Sequence, residues 1–190
     1  FLGETALEAG KSEPVFDADA ITLNAYLGID GIGPMLEDCK KYGKGAFILV
    51  KTSNPSSAQL QDMVVQDGRT IYEVMADHVK EWGKDFTGEC GYSSIGAVVG
   101  ATWPEQLKSL RTRMPFTCFL VPGYGAQGGG AKDVAPAFDR NGLGAVINAS
   151  RSLMCAYRQE QWKGAFTVEE FDQACREEAL RMKAELLSVL

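Results

Sequence analysis

Residues 116–130 read FTCFLVPGYGAQGGG, and the fold turns on the join between its two halves. The first half, FTCFLVPG (116–123), is an apolar run of strand length. In the second half, five of the ten residues 121–130 are Gly. A chain that gives up so much backbone entropy in one place needs unusual φ angles or a close backbone approach there. A buried strand that runs into a glycine turn can bring backbone N–H groups against an anion. Gln127 adds a side-chain amide suited to a phosphate oxygen or a base carbonyl. A flexible turn with a solvated Gln is the competing reading.

The same grammar recurs on both sides of this stretch. AITLNAY (20–26), GAFILVKTS (45–53), SIGAVVGAT (94–102) and LGAVINASR (143–151) are further strand-like runs. Between them lie helical patterns: GIGPMLEDCKKYG ending at Gly43, NPSSAQLQD with Asn54 as N-cap and Pro55 behind it, RTIYEVMADHVKEWGKDF (69–86) and PEQLKSLRTRM. APAFDRNG (135–142) reads as a short helix or turn. A long helix over 167–189 closes the chain, with Thr167 as N-cap and Glu170 in capping-box position. FLGETALEAG at the start has the composition of a helix interior.

Five strands alternating with helices imply a parallel α/β sheet. The polar and glycine signals fall just after the strands, at TSNPSS, VGATWP, VPGYGAQGGG and NASRS. Doubly wound sheets and barrels both place their sites at strand C-termini. No G-x-G-x-x-G follows the first strand, and the glycine and ASR loops follow the last two. Barrels bind phosphate at that place. The expected fold is a (β/α)8 TIM barrel of which this chain holds about strands 4 to 8, in a single domain over residues 1–190.

Composition removes several function classes. The formal net charge is -6 and no Lys/Arg block stands out, which argues against nucleic acid as a partner. No apolar run approaches the roughly 18 residues of a membrane span. Five widely spaced cysteines and a single histidine make a zinc site improbable. The cysteines read as free thiols of a cytoplasmic protein, with Cys118 in the core. His78 lies in a helical pattern and reads as a packing or surface residue, not as a catalytic base.

Candidate binding residues cluster at strand ends. Arg151 offers a rigid fork of donors for phosphate, beside the glycine loop. Thr52 and Ser53 could read a polar ring such as a pyrimidine, or could simply cap the helix that follows. Asn24 stands near the end of its strand, after Asp17 and Asp19, which read as turn formers. No paired carboxylate with a nearby Lys is found at a strand end. From the residues alone the chain is a phosphate-ligand barrel without visible catalytic machinery.

DADAITLNAYLG, GKGAFILVKTSNPSSAQLQD, SIGAVVGAT, VPGYGAQGG and NASRS, in this order, resemble orotidine 5'-phosphate decarboxylase, in its bacterial subgroup with TSNPS after a barrel strand. The resemblance runs from about residue 17 to 187. It implies a homodimeric barrel that converts orotidine 5'-phosphate to UMP in pyrimidine biosynthesis, without metal or organic cofactor. It implies that Ser53 contacts the pyrimidine, that Gln127 in a mobile lid reaches phosphate and base, and that Arg151 grips the phosphate. Pro122, Gly123 and Tyr124 would shape the lid, and Thr52 and Asn24 would line the site. The family's Lys/Asp array, with its D-x-K-x-x-D motif, has no counterpart in this sequence. The expectation is therefore no catalytic residue in this chain, the array being expected upstream of Phe1, and a 190-residue polypeptide that is inactive alone. The alternatives are a non-catalytic nucleotide-binding fragment and a metal-dependent sugar-phosphate aldolase on the same scaffold.

Overall fold

A computed structural model describes residues 1–125 and 128–190. The chain opens with an antiparallel hairpin, β1 (Glu4–Ala6) and β2 (Ser12–Pro14). This overturns the helix expected for FLGETALEAG. Leu2 is buried in the core, and Gly3 lies so near the Tyr42 ring that a Cβ there would meet it at 2.9 Å. Those two anchors hold the entry extended, and Gly10 turns the chain back at φ +73°. Packing overrides the helical propensity of the segment.

The remaining elements follow in chain order: β3 (Ala20–Leu23), α1 (Ile29–Tyr42), β4 (Gly45–Lys51), α2 (Ala58–Gln61), α3 (Ile71–Trp82), β5 (Ser93–Val99), α4 (Pro104–Arg113), β6 (Thr117–Pro122), α5 (Ala131–Val134), β7 (Ala145–Asn148), α6 (Arg151–Met154) and α7 (Phe171–Leu187). Among the described residues, β3 to β7 form one five-stranded sheet, parallel throughout, in the order β3-β4-β5-β6-β7. Spatial order equals chain order. A doubly wound sheet reverses its order at the switch point, so this sheet is an arc of a (β/α) barrel. With right-handed crossovers, every connecting helix falls on the same face.

That face holds the core. Ile48 and Val50 of β4, Ile95 of β5 and Phe119 of β6 are buried with Ile32 of α1, Val79 of α3 and Leu107 of α4. The opposite, inner face is only partly covered, at Phe47, Leu49, Cys118 and Leu120. Cys118 is thus half-buried on the inner face rather than a core residue, because strand alternation gives the core to Thr117, Phe119 and Val121. Partial burial still pushes its thiol pKa up.

Local chemistry sets the helix ends. Thr70 and Glu73 make a full capping box for α3. The box expected at Thr167 and Glu170 forms only in part. The Glu170 carboxylate accepts the Thr167 N–H at 2.9 Å, but it takes the Thr167 hydroxyl as well, at 3.0 Å. Unlike the Thr70 hydroxyl, which donates to Glu73 and also accepts its N–H, the Thr167 hydroxyl accepts no backbone N–H among the described residues, and α7 starts at Phe171. Asn54 precedes Pro55 as expected, but the turn it opens is 3-10 and receives no side-chain cap.

Two ionic devices lock the frame. The half-buried Arg111 lies over the Phe119 ring at 3.8 Å and donates to backbone carbonyls, most closely to those of Met114, Thr117, Ala137 and Gly144, at 2.7–2.9 Å, and to that of Pro115 at 3.5 Å. Asp77 on α3 accepts two hydrogen bonds from Arg113 on α4, each at 2.7 Å, and one from Arg69.

Arg111→Ala should lower stability by about 3 kcal/mol in urea titration, because it strands several carbonyls at once. Lysine there should recover only a part, having no fork. Arg113 and Arg69 hold the Asp77 carboxyl down to about 2, from 3.8. Its stabilising effect is complete above the ordinary value and is lost as pH falls towards 2. The stability gap between wild type and Asp77→Asn should therefore be widest near neutrality and shrink from about pH 4 downward.

Candidate functional site

Because the sheet is parallel, β3 to β7 all end at one rim. Neighbouring segments touch along that rim without a break. A Cβ built on Gly100, just past β5, would lie 2.7 Å from the Ser53 backbone, just past β4. A Cβ on Gly129 would meet Ala101 at 2.7 Å, and one on Gly125 would meet the Ser152 hydroxyl at 3.0 Å. Pro122 pairs with Asn148, which brings the glycine loop level with the segment that carries Arg151. The contacts run from Ser53 through Gly100, the glycine loop and Ser152 to Arg151.

The TSNPS segment is held from several sides. Gln61 brackets Thr52: its Oε1 accepts the Thr52 N–H at 2.9 Å, and its Nε2 donates to the Thr52 hydroxyl at 2.8 Å. That hydroxyl donates onward to Asn54 at 2.7 Å. Trp103 Nε1 donates to the Thr52 carbonyl at 2.8 Å, and the Thr102 hydroxyl donates to the Ser53 carbonyl at 3.1 Å. Every polar group of Thr52 is consumed by the fold. The Ser53 hydroxyl takes no part in this web, so Ser53 alone of the pair is free to meet a ligand.

The glycine loop is closed at its root. Gly125 N–H donates to the Gly129 carbonyl at 2.8 Å, and Tyr124 bridges to Gly129. Gly123, Gly125 and Gly128 sit at φ +98°, +74° and +96°, which L side chains rarely adopt. Tyr124 is buried, and its hydroxyl donates to Glu185 of α7 at 2.9 Å. Burial, with the carboxylate beside it, pushes the phenol up to about 12. Tyr124 thus faces the closing helix and roots the loop. Gln127 lies outside the described residues. Asn24 stands at the end of β3, but its Oδ1 accepts the Tyr26 N–H at 3.1 Å in a local turn.

Arg151 is exposed, and among the described residues no carboxylate pairs with it or with Arg158. Both border a cavity of about 500 Å³, with Gly125, Ser152 and Gln159. The Ser152 hydroxyl is buried without a hydrogen-bond partner among the described residues. A slightly larger cavity, of about 530 Å³, lies at the opposite end, where Gly45, Ser93 and Ala145 begin their strands. That end of a barrel serves stability, and the Arg151 side is the better candidate. Among the described residues no group of three His, Cys, Asp or Glu is placed to hold a metal ion.

Sequence reading missed Lys51, Gln61, Asp62 and Trp103, which build the rim around Thr52. Lys51 had a readable signal: a charged residue ending the apolar run GAFILV. Gln61 and Trp103 had none, since one reaches Thr52 from the helix after the turn and the other from beyond the next strand. No helix among the described residues is long and apolar enough to cross a membrane.

The family model for "Orotidine 5'-phosphate decarboxylase / HUMPS family" matches residues 3–163. An orotidine 5'-phosphate decarboxylase of Caldicellulosiruptor bescii is 51% identical over 158 residues, covering 83% of this chain and 51% of that protein. One from Rhodopirellula baltica is 45% identical over 180 residues, covering 93% of this chain and 59% of that protein. The chain thus spans somewhat over half the length of these relatives. Among solved structures, Leishmania donovani OMP decarboxylase matches with a TM-score of 0.61 at 32% identity, over 86% of this chain and 57% of that one. Leishmania donovani UMP synthase matches with a TM-score of 0.62 at 36% identity, over 86% of this chain and 33% of that one. Sequence match, strand order and the rim at the strand ends agree, and the chain belongs to the orotidine 5'-phosphate decarboxylase / HUMPS family.

Proposed function

We propose that this chain supplies the phosphate- and base-binding half of an orotidine 5'-phosphate decarboxylase, which releases CO2 from orotidine 5'-phosphate to give UMP in pyrimidine biosynthesis. The unbroken rim from Ser53 to Arg151 carries the reading. It sets at one end a hydroxyl and at the other a guanidinium, neither of them bonded within the described residues, with a glycine loop between them. Ser53 meets the pyrimidine and Arg151 the phosphate. Gln127 reaches both from the loop, while Pro122 and Gly123 shape it. Tyr124 serves as its root, and Thr52 and Asn24 act through the backbone they hold.

These contacts are remote from the carbon that loses CO2. Binding energy realised on the phosphate can drive loop closure, exclude water and strengthen the electrostatics at the reacting centre. The charged groups of the reaction itself are outside the motifs of this sequence, so the 190-residue polypeptide alone binds nucleotide without turning it over. The enzyme acts in the cytoplasm without metal or organic cofactor, as a homodimer. Exposed apolar side chains at Tyr26, Leu27, Ile29, Met63 and Val64 support self-association. The family description also includes HUMPS enzymes, but the named relatives above are decarboxylases.

Calorimetry should detect UMP binding, and Arg151→Ala should weaken it by about 2–3 kcal/mol, the worth of charge-assisted hydrogen bonds. Unchanged affinity would remove Arg151 from the site. Gly100→Ala drives a methyl into the Ser53 backbone and should weaken UMP binding about tenfold or more. Decarboxylase turnover by a purified polypeptide of these 190 residues would refute the division into halves, and turnover that depends on added metal would favour the aldolase reading.

A further inference from the structure

Lys51 is among the largest fully buried side chains of the described residues, and it ends a strand that is otherwise apolar. The β4–β5 register slips between Leu49 and Lys51. The Lys51 ammonium meets Asp62 Oδ1 at 2.5 Å and the Ser57 hydroxyl at 3.4 Å. It also lies over the Trp103 ring, 4.6 Å from the centroid, with the Tyr72 ring at 5.6 Å. Burying an ammonium is costly, and an ion pair of this kind seldom exceeds a well-packed apolar side chain in stability. Methionine would fill much the same space, so general stability does not account for a charge here.

Direction does. Asp62 directly follows Gln61, whose amide brackets the N–H and hydroxyl of Thr52. Trp103, on the other side of the ammonium, holds the Thr52 carbonyl. Lys51 therefore stands between the two clamps that fix Thr52, one through an ion pair and one through a cation–π contact. Both clamps converge on the residue before Ser53.

We propose that Lys51 is a positioning residue for the nucleotide base: with Asp62 and Trp103 it fixes Thr52 so that the Ser53 hydroxyl points at the pyrimidine. The proposal rests on the nucleotide-binding reading. It assigns Lys51 no contact with substrate. Without the ammonium, Asp62 can turn to solvent, since 38% of its side chain is already exposed. The turn that carries Gln61 then loosens, and the base loses its partner while the phosphate site, built on other strands, is untouched.

The test uses Lys51→Met, Lys51→Arg and Asp62→Asn in the full-length protein, with two ligands. UMP engages both subsites, and ribose 5-phosphate engages only the phosphate side. Lys51→Met should keep its melting temperature within about 5 °C of wild type, as an apolar isostere of a buried charge can. It should bind UMP at least about tenfold more weakly and ribose 5-phosphate within about twofold of wild type. Lys51→Arg keeps the charge and the ring contact and should recover most of the loss. Asp62→Asn should lose UMP affinity selectively as well, and it carries the test if Lys51→Met does not fold. Unchanged UMP affinity in folded Lys51→Met or in Asp62→Asn overturns the proposal and leaves the functional reading standing. So does an equal loss for both ligands, which marks general damage. Wild-type protein that binds neither ligand overturns the functional reading and this proposal with it.

Discussion

The rim depends on one guanidinium at the far end of the sheet. Arg111 spans carbonyls before and within β6, after α5 and before β7. Four acceptors on three segments fix where β6 and β7 start relative to each other. In a parallel pair the register set at one end is delivered at the other. Pro122 and Asn148 come out level, and the glycine loop and Arg151 rise side by side. Burial lowers the Arg111 pKa, yet the group stays a cation at any physiological pH. Its five donors suit a cluster of backbone carbonyls gathered near the strand starts.

The two ends of the arc therefore do different work. At the strand starts, polar groups are spent on the frame. At the strand ends, some are spent and some are kept. Thr52 and Ser53 divide along this line: adjacent in sequence and alike in chemistry, one has every polar group bonded within the fold and the other keeps its hydroxyl. Tyr124 and Gly125 divide in the same way, a buried root beside a residue whose backbone alone approaches its neighbours.

Much of the architecture was legible because it rests on local periodicity. GAFILV and FTCFLV could hardly be anything but buried strands, and the polar turns after each strand fixed the side on which a site would form. The hairpin of residues 4–14 was not legible, because ETALEAG has helical propensity and only the anchors at Leu2 and Gly3 overrule it. The start of α7 was not legible for a finer reason: Thr-x-x-Glu occurs at both 70–73 and 167–170, yet only Thr70 also accepts a backbone N–H from its helix. At the rim, Arg151 and the glycine loop were visible as residue types that follow the last two strands. The supports of Thr52 were not, since Gln61 and Trp103 gain meaning only when two loops meet. Tyr124 was visible, but its direction was not, because its partner Glu185 lies at the other end of the chain.

That bond from Tyr124 to Glu185 couples two segments that share no strand. Arg181 and Glu178 continue the connection along α7, and Trp162 and Gln161 join it from the preceding turn. The root of the glycine loop thus rests on a network of α7 centred on the buried Glu178. Residues some sixty positions away in the chain therefore share in fixing the root of the loop.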